Sequence, residues 1–322
     1  MGKATKIWLI IGICLVVLGG LISVGAMSAN RWNFSNLSTD QGEIIEHSVS
    51  ESYQNISIST DTANIIFAPT TDSDTLIVCN EQNNQRHSAY VRDNTLIISL
   101  NEHKKWYENI SLVSYPSEIT VYLPASEYGN LTIENNTGDI RLPQDFQFDN
   151  IEITGSTSDV TCSTTVTENL KITLSTGGIH IQNTTASNLS LTTTTGRITA
   201  SNIQCSGDLK ANVTTGKSSL TNIRCLNFFS VGDTGKLSLY DVIAAEAFSI
   251  ERSTGDVEFE NCDAGEILIE TDTGDVDGNF LTEKIFITQT DTGDIDVPKS
   301  VTGGKCEIST STGDIEIEIG RD

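Results

Sequence analysis

The chain has 322 residues, with 19 Lys or Arg against 43 Asp or Glu, a net charge of −24 and a sequence pI near 4.3. That charge excludes the phosphate backbone of nucleic acid as a partner. It suits a cation-rich setting or a basic partner, and it keeps the chain soluble. The seven cysteines include no Cys-x-x-Cys pair, which argues against a zinc site.

Residues 1–6 are short and basic, with Lys3 and Lys6, and read as a cytoplasmic N-terminus. Residues 7–27 are apolar without a charge and long enough to span a bilayer. Lysines ahead of the run place everything after it outside the cytoplasm, so a single-pass anchor in the cell membrane is expected. The alternative is a cleaved signal peptide, with Ala26-Met27-Ser28 as the cleavage site. Residues 28–48 are polar and patternless and read as a linker. Residues 49–126 read as a separate β-module, with strands over 55–59, 63–68, 75–80, 89–91, 95–100 and 118–123. Within it, Thr62-Ala63-Asn64-Ile65 echoes the turn phrase of the later repeats, so the module is also readable as the degenerate start of the same stack. A loop, His103-Lys104-Lys105-Trp106-Tyr107, combines bases and aromatics.

Residues 127–322 are built on one phrase, clearest as Ser311-Thr312-Gly313-Asp314-Ile315. Its glycine position falls at 138, 158 (Ser), 177, 196, 216, 235, 255, 274, 293 and 313, in steps of 19 or 20 residues. Two residues after it come Ile140, Val160, Ile179, Ile198, Leu237, Val257, Val276, Ile295 and Ile315, and alternate residues stay apolar from there. Period two within a segment is strand periodicity. A fixed period between segments is the signature of a stacked repeat. The expectation is an all-β fold, a parallel β-solenoid of about ten coils, roughly 45–50 Å long at ~4.8 Å per coil. The glycine supplies a turn at positive φ, with solvent expected beside it. No Pro occurs between Pro143 and Pro298, as unbroken ladders require. Glu316 and Glu318 would put charge on the terminal edge strand and discourage further pairing.

The span, the module ending Ile119-Thr-Val-Tyr-Leu-Pro124, the Lys-Lys-Trp at 104–106 and the serial Thr-Gly-Asp turns carry a resemblance. The chain resembles the putative-adhesin family of bacterial β-repeat surface proteins. The resemblance covers most of residues 50–322 and implies a low-GC Gram-positive-like host, the cell surface, and adhesion or envelope-stress signalling. The chain departs from the family pattern in its middle coils, where Arg197, Lys217 and Lys236 replace the Asp.

No catalytic set or cofactor motif stands out. Asp-Thr-Gly at 233, 272 and 291 is the aspartic-protease tripeptide, but that chemistry needs two such loops sharing one proton. Polysaccharide-cleaving β-helices cluster Asp with Arg, Lys or His, whereas residues 251–322 hold 19 acids and 5 bases and none of the four His. A carbohydrate-active enzyme is therefore the alternative to a non-catalytic surface protein. Asp256, Asp275, Asp294 and Asp314 form an outward stripe that would attract calcium weakly, which would make the chain a calcium-responsive sensor. Bulk water reduces repulsion between such neighbours to about 0.9 kcal/mol, so the stripe needs no metal. Cys205 and Cys225 share a slot in successive coils, about 5 Å apart, within disulfide reach, and are equally readable as small buried side chains. The post-glycine stripe runs acidic, basic, acidic. Its basic block, Arg197, Lys217 and Lys236, is the candidate docking point for an anionic envelope component.

Overall fold

The computed structural model describes residues 12, 15–20, 28, 43–81, 86–101 and 117–320. Most of the apolar run at 7–27 and the whole 103–107 loop lie outside them. Among the described residues no helix is long and apolar enough to cross a membrane.

Among the described residues twenty strands form one continuous sheet system. The first six are β1 (Glu43–Val49), β2 (Asn55–Thr70), β3 (Thr75–Glu81), β4 (Arg86–Arg92), β5 (Thr95–Asn101) and β6 (Ser117–Pro124). Short and long strands then alternate as β7 (Glu127–Thr137), β8 (Ile140–Leu142), β9 (Gln147–Thr157) and β10 (Val160–Cys162). Five long strands bend through the corners: β11 (Thr165–Ala186), β12 (Asn188–Cys205), β13 (Asp208–Thr234), β14 (Leu237–Thr254) and β15 (Val257–Thr273). The chain ends in β16 (Val276–Phe280), β17 (Lys284–Thr292), β18 (Ile295–Asp296), β19 (Gly304–Thr312) and β20 (Ile315–Ile319). β1 begins inside the stretch that reads as linker.

β2 pairs in parallel with β5, β6, β7 and β8, and from β7 onward every coil stacks in parallel, equivalent residues side by side: Ile140 against Val160, Val160 against Ile179, Ile179 against Ile198. The slots read as inward are buried. Ile140, Val160, Ile179, Ile198, Leu237, Val257, Val276 and Ile315 are all 0% exposed. Burying one such side chain stabilises by about 1.5–3 kcal/mol, so the ladder of like residues is the main support of the rod. The Thr62–Ile65 phrase lies within β2, where Ile65 pairs with both Ile119 and Ile140. Ahead of it the pairing turns antiparallel, with β1 on β3, β3 on β6 and β4 on β5.

At the far end the stack departs from chain order. β15 pairs with β19, not β17, and β19 then pairs with β17. On the adjoining face β16 pairs with β20, and β20 with β18. The last coil in sequence is thus inserted between its two predecessors. Glu316 and Glu318 therefore do not mark the edge expected of them: Glu316 lies between Asp277 and Asp296. The coil at the end is β17–β18. Ile295, expected inward, is 44% exposed there, because no further coil covers it.

Two columns of amides lock the register at the corners. One runs Asn130, Asn150, Asn169 and Asn188, the Nδ2 of each of the last three donating to the Oδ1 of the coil before at 2.8–3.1 Å. The other occupies left-handed backbone at Asn183, Asn202 and Asn222, with φ of 53°, 57° and 52°. There Asn202 donates to Asn183 at 2.9 Å and Asn222 to Asn202 at 2.8 Å. Asn tolerates that conformation best among non-glycine residues.

The turn glycine has a reason the period alone does not show. Gly274 takes φ +152°, as expected, but a Cβ there would lie 2.3 Å from the Gly255 carbonyl oxygen, not in solvent. Gly313 meets Gly274 and Gly293 meets Gly313 in the same way, both at 2.1 Å. The column is a line of backbone contacts between coils. Gly274→Val should therefore lower the melting temperature well below that of Thr273→Val, by about 2–4 kcal/mol of unfolding free energy, since it combines a strained φ with a backbone clash. Equal melting of the two variants would refute the contact.

Candidate functional site

Strand alternation turns the residue after each glycine outward. Backbone register orders this column along the rod as Asp139, Asp159, Gly178, Arg197, Lys217, Lys236, Asp256, Asp275, Asp314, Asp294. The acidic-basic-acidic blocks survive, with Asp314 and Asp294 exchanged by the coil insertion. A second outward column two residues on carries Arg141, Thr161, His180, Thr199, Ser219 and Ser238, then Glu258, Asp277, Glu316 and Asp296.

The acidic end is a field of carboxylates, and its first column has a structural role. Asp256 Oδ1 accepts the Asp275 N–H at 3.3 Å, Asp275 Oδ1 the Asp314 N–H at 2.9 Å, and Asp314 Oδ1 the Asp294 N–H at 2.8 Å. The carboxylates of Asp256, Asp275 and Asp314 each tie their coil to the next, which gives these three a reason independent of calcium. The second column is more crowded. Burial first, and then the Glu258 carboxylate, raise Asp277 above the usual carboxylate range.

The three bases do not behave alike. Lys236 Nζ lies 2.9 Å from Glu258 Oε2. That hydrogen bond raises Lys236 above the usual lysine value and lowers Glu258 below the usual carboxylate value. Arg197 and Lys217 are exposed, and among the described residues neither has a carboxylate within ion-pair distance. Beside them Gly178 contributes no side chain, and the column opens into a groove of 560 Å³. Asp159, His180, Arg197 and Lys217 line it around a floor of glycine backbone. Asp159 is engaged: its Oδ1 accepts the Gly178 N–H at 2.6 Å. The structure thus brings together two of the three predicted bases, separates the third, and adds His180, which sequence reading had set aside as remote from the acids. The signal was available, since His180 sits two residues after Gly178 and alternation puts both on one face.

Geometry also speaks to the protease tripeptides. Asp272 and Asp291 both flank Ser311, one on each side, so they are two coil spacings apart, about 9.6 Å. Carboxylates at that distance do not share a proton. Cys205 and Cys225 are buried free thiols; Cys205 Sγ lies 3.1 Å from the Ser187 carbonyl oxygen.

The sequence profile of the Toastrack DUF4097 family matches residues 53–216 and 204–322. No curated protein matches the chain in sequence. Among solved structures, a putative adhesin from Bacteroides fragilis is 16% identical, over 86% of this chain and 98% of its own, with a TM-score of 0.45. A protein from Parabacteroides distasonis described as a putative lipid binding protein is 14% identical, over 87% and 98%, with a TM-score of 0.46. A putative adhesin from the same organism is 14% identical, over 84% and 98%, with a TM-score of 0.45.

Proposed function

Since the chain belongs to the Toastrack DUF4097 family, we propose that it is a non-catalytic surface protein: a membrane-anchored, extracytoplasmic rod that docks an anionic envelope component. The groove carries this reading. Among the described residues Arg197 and Lys217 have no carboxylate within ion-pair distance, and they stand beside a glycine-floored hollow on a chain of net charge −24. On so acidic a rod, an anionic polymer is steered to the basic block and repelled elsewhere. The apolar run at 7–27 supports the anchor, and the order of basic N-terminus then span supports an extracellular rod.

The test separates the bases by their partners. Arg197→Gln with Lys217→Gln should weaken retention on immobilised polyphosphate at least tenfold at low salt, with the melting temperature unchanged. Lys236→Gln should weaken it less, because that ammonium is already held by Glu258. Binding should fall as salt rises, since exposed charges are screened beyond about 10 Å at 0.1 M. A lower melting temperature with retention intact would leave the bases only their role in relieving repulsion along the column. Protease added to intact, wall-stripped cells checks the topology: it should remove the rod, and release of the rod into the medium would instead mean a cleaved signal.

The carbohydrate-active reading keeps one specific observation, because Asp159, His180, Arg197 and Lys217 do meet in one groove. Polysaccharide cleavage lost in Asp159→Asn would favour it. The calcium-sensor reading requires that calcium raise the melting temperature through Asp256, Asp275, Asp314 and Asp294.

A further inference from the structure

The antiparallel end of the rod holds a second cluster, remote in sequence from the groove. His47 on β1 lies opposite Ile77 on β3, and Ile45 lies opposite Cys79. Alternation therefore turns His47, Cys79 and Glu81 to the same side of that sheet, the side facing the core. His87 enters from β4. Cys79, Glu81 and His87 are 0%, 1% and 3% exposed. The Cys79 sulfur, a Glu81 carboxylate oxygen and a His87 ring nitrogen lie within 4.8 Å of one another, the one such group among the described residues.

Hydrogen bonding leaves this cluster incomplete. Glu81 Oε1 accepts the His87 backbone N–H at 2.5 Å and lies 3.0 Å from His87 Nδ1. The other oxygen, Glu81 Oε2, is buried with no partner, and so is His47 Nε2. Buried polar atoms are nearly always satisfied, and two orphans beside one cluster need a common explanation. Without a metal the Glu81 carboxylate has, beyond His87, only the Cys79 thiol to turn to, and His47 Nε2 has no partner.

We propose that Cys79, Glu81 and His87 form a structural zinc site, with His47 on the same face of β1, outside that 4.8 Å group, turning in as the fourth ligand, so that the metal staples β1, β3 and β4 at the capped end of the rod. A tetrahedral zinc with bonds of 2.0–2.3 Å places its donor atoms about 3.3–3.8 Å apart. Small side-chain rotations bring a 4.8 Å cluster to that spacing. Nδ1 of His87 is the ligating nitrogen. Its Nε2 lies 2.8 Å from Thr60 Oγ1, so Nε2–H donates to the hydroxyl and fixes the ring, as metal-bound imidazoles require. Coordination releases the Cys79 thiol proton to solvent and leaves a thiolate on the cation. Thiolate and carboxylate then cancel the charge of zinc, which a buried ion needs. Sulfur and imidazole donors are too soft for calcium or magnesium. The absent Cys-x-x-Cys pair was a poor guide because these ligands come from three separate strands.

The full-length chain in detergent, stripped with chelator and returned to micromolar zinc, should bind one zinc per chain and melt at a higher temperature. Cobalt in its place should give a thiolate-to-cobalt absorption band in the near ultraviolet. Cys79→Ser and Glu81→Gln should abolish both, and Cys205→Ser should keep both. No zinc on the wild-type chain, or a cobalt band that persists in Cys79→Ser, would overturn the site. Should Cys79→Ser fail to fold by circular dichroism, the near-isosteric Glu81→Gln decides: metal retained at full stoichiometry and affinity refutes the assignment.

Discussion

A chain carrying Thr273→Cys and Thr312→Cys should close a disulfide on mild oxidation, and one carrying Thr273→Cys and Thr292→Cys should not. Thr273 and Thr312 are exposed register partners on adjacent strands, whereas Thr292 lies one coil further on, against Thr312. Adjacent strands put Cα atoms about 4.8 Å apart, within the reach of a disulfide, and the next coil about 9.6 Å away, beyond it. A stack in chain order predicts the reverse pairing. The contrast is all or none, and peptide mapping reads it directly. Formation of the 273–292 bond in preference to 273–312 would return the coils to sequence order. Hydrogen exchange gives the same answer by another route. Backbone amides of Lys284–Thr292 should exchange faster than those of Gly304–Thr312, since the former lie at an uncovered end.

That insertion shows where sequence reading stops. The step from Gly293 to Gly313 is as regular as the others, and every coil offers the same slots, so spacing specifies the coil and not the order of stacking. A signal did exist in the chemistry. Where neighbouring coils place Ile269 and Ile308 inside, the 284–292 strand places Thr288, and its Ile285 and Ile287 are 41% and 51% exposed. A coil with a polar inner slot is fitted to an end. The stripe was legible because alternation fixes which way each residue points. The pairing of Lys236 with Glu258 was not, because it depends on a contact between residues two slots apart in neighbouring coils. Nor was the buried Cys79, Glu81 and His87 cluster, whose strands carry no fixed period and pair antiparallel. The corner asparagines stand in the sequence at 183, 202 and 222, at the repeat spacing, but their ladder of amide hydrogen bonds leaves no apolar periodicity to reveal it.

Gly232→Val should be among the most destabilising single changes in the rod, and Arg252→Thr should rescue it in part. Both residues occupy one inward slot in successive coils, the slot held elsewhere by Leu174, Thr193, Val213, Thr271 and Thr310. Arg252 is 3% exposed, and its guanidinium fills the space that Gly232 leaves: a Cβ on Gly232 would lie 1.7 Å from Arg252 Nη1. Nη2 donates to Ser230 Oγ at 2.6 Å, and that hydroxyl donates to the Ala211 carbonyl at 2.7 Å. Nε has no partner. Burial pulls the guanidinium down to about 10, which leaves it protonated at neutral pH. The slot therefore holds a cation that is tolerated only because the neighbouring residue is glycine. Valine at 232 displaces it into a packed core, and overpacking together with an unsatisfied buried charge should cost about 3–5 kcal/mol. Threonine at 252 removes the charge and restores the residue type of the next coil, so the double variant should regain part of the lost stability; the rest stays lost because a Cβ at 232 also lies 2.5 Å from the Val213 carbonyl oxygen. The two changes are thus strongly coupled in a double-mutant cycle, by about 2–3 kcal/mol. Additive behaviour would show that Arg252 does not occupy the Gly232 space, and the account of this slot would fail.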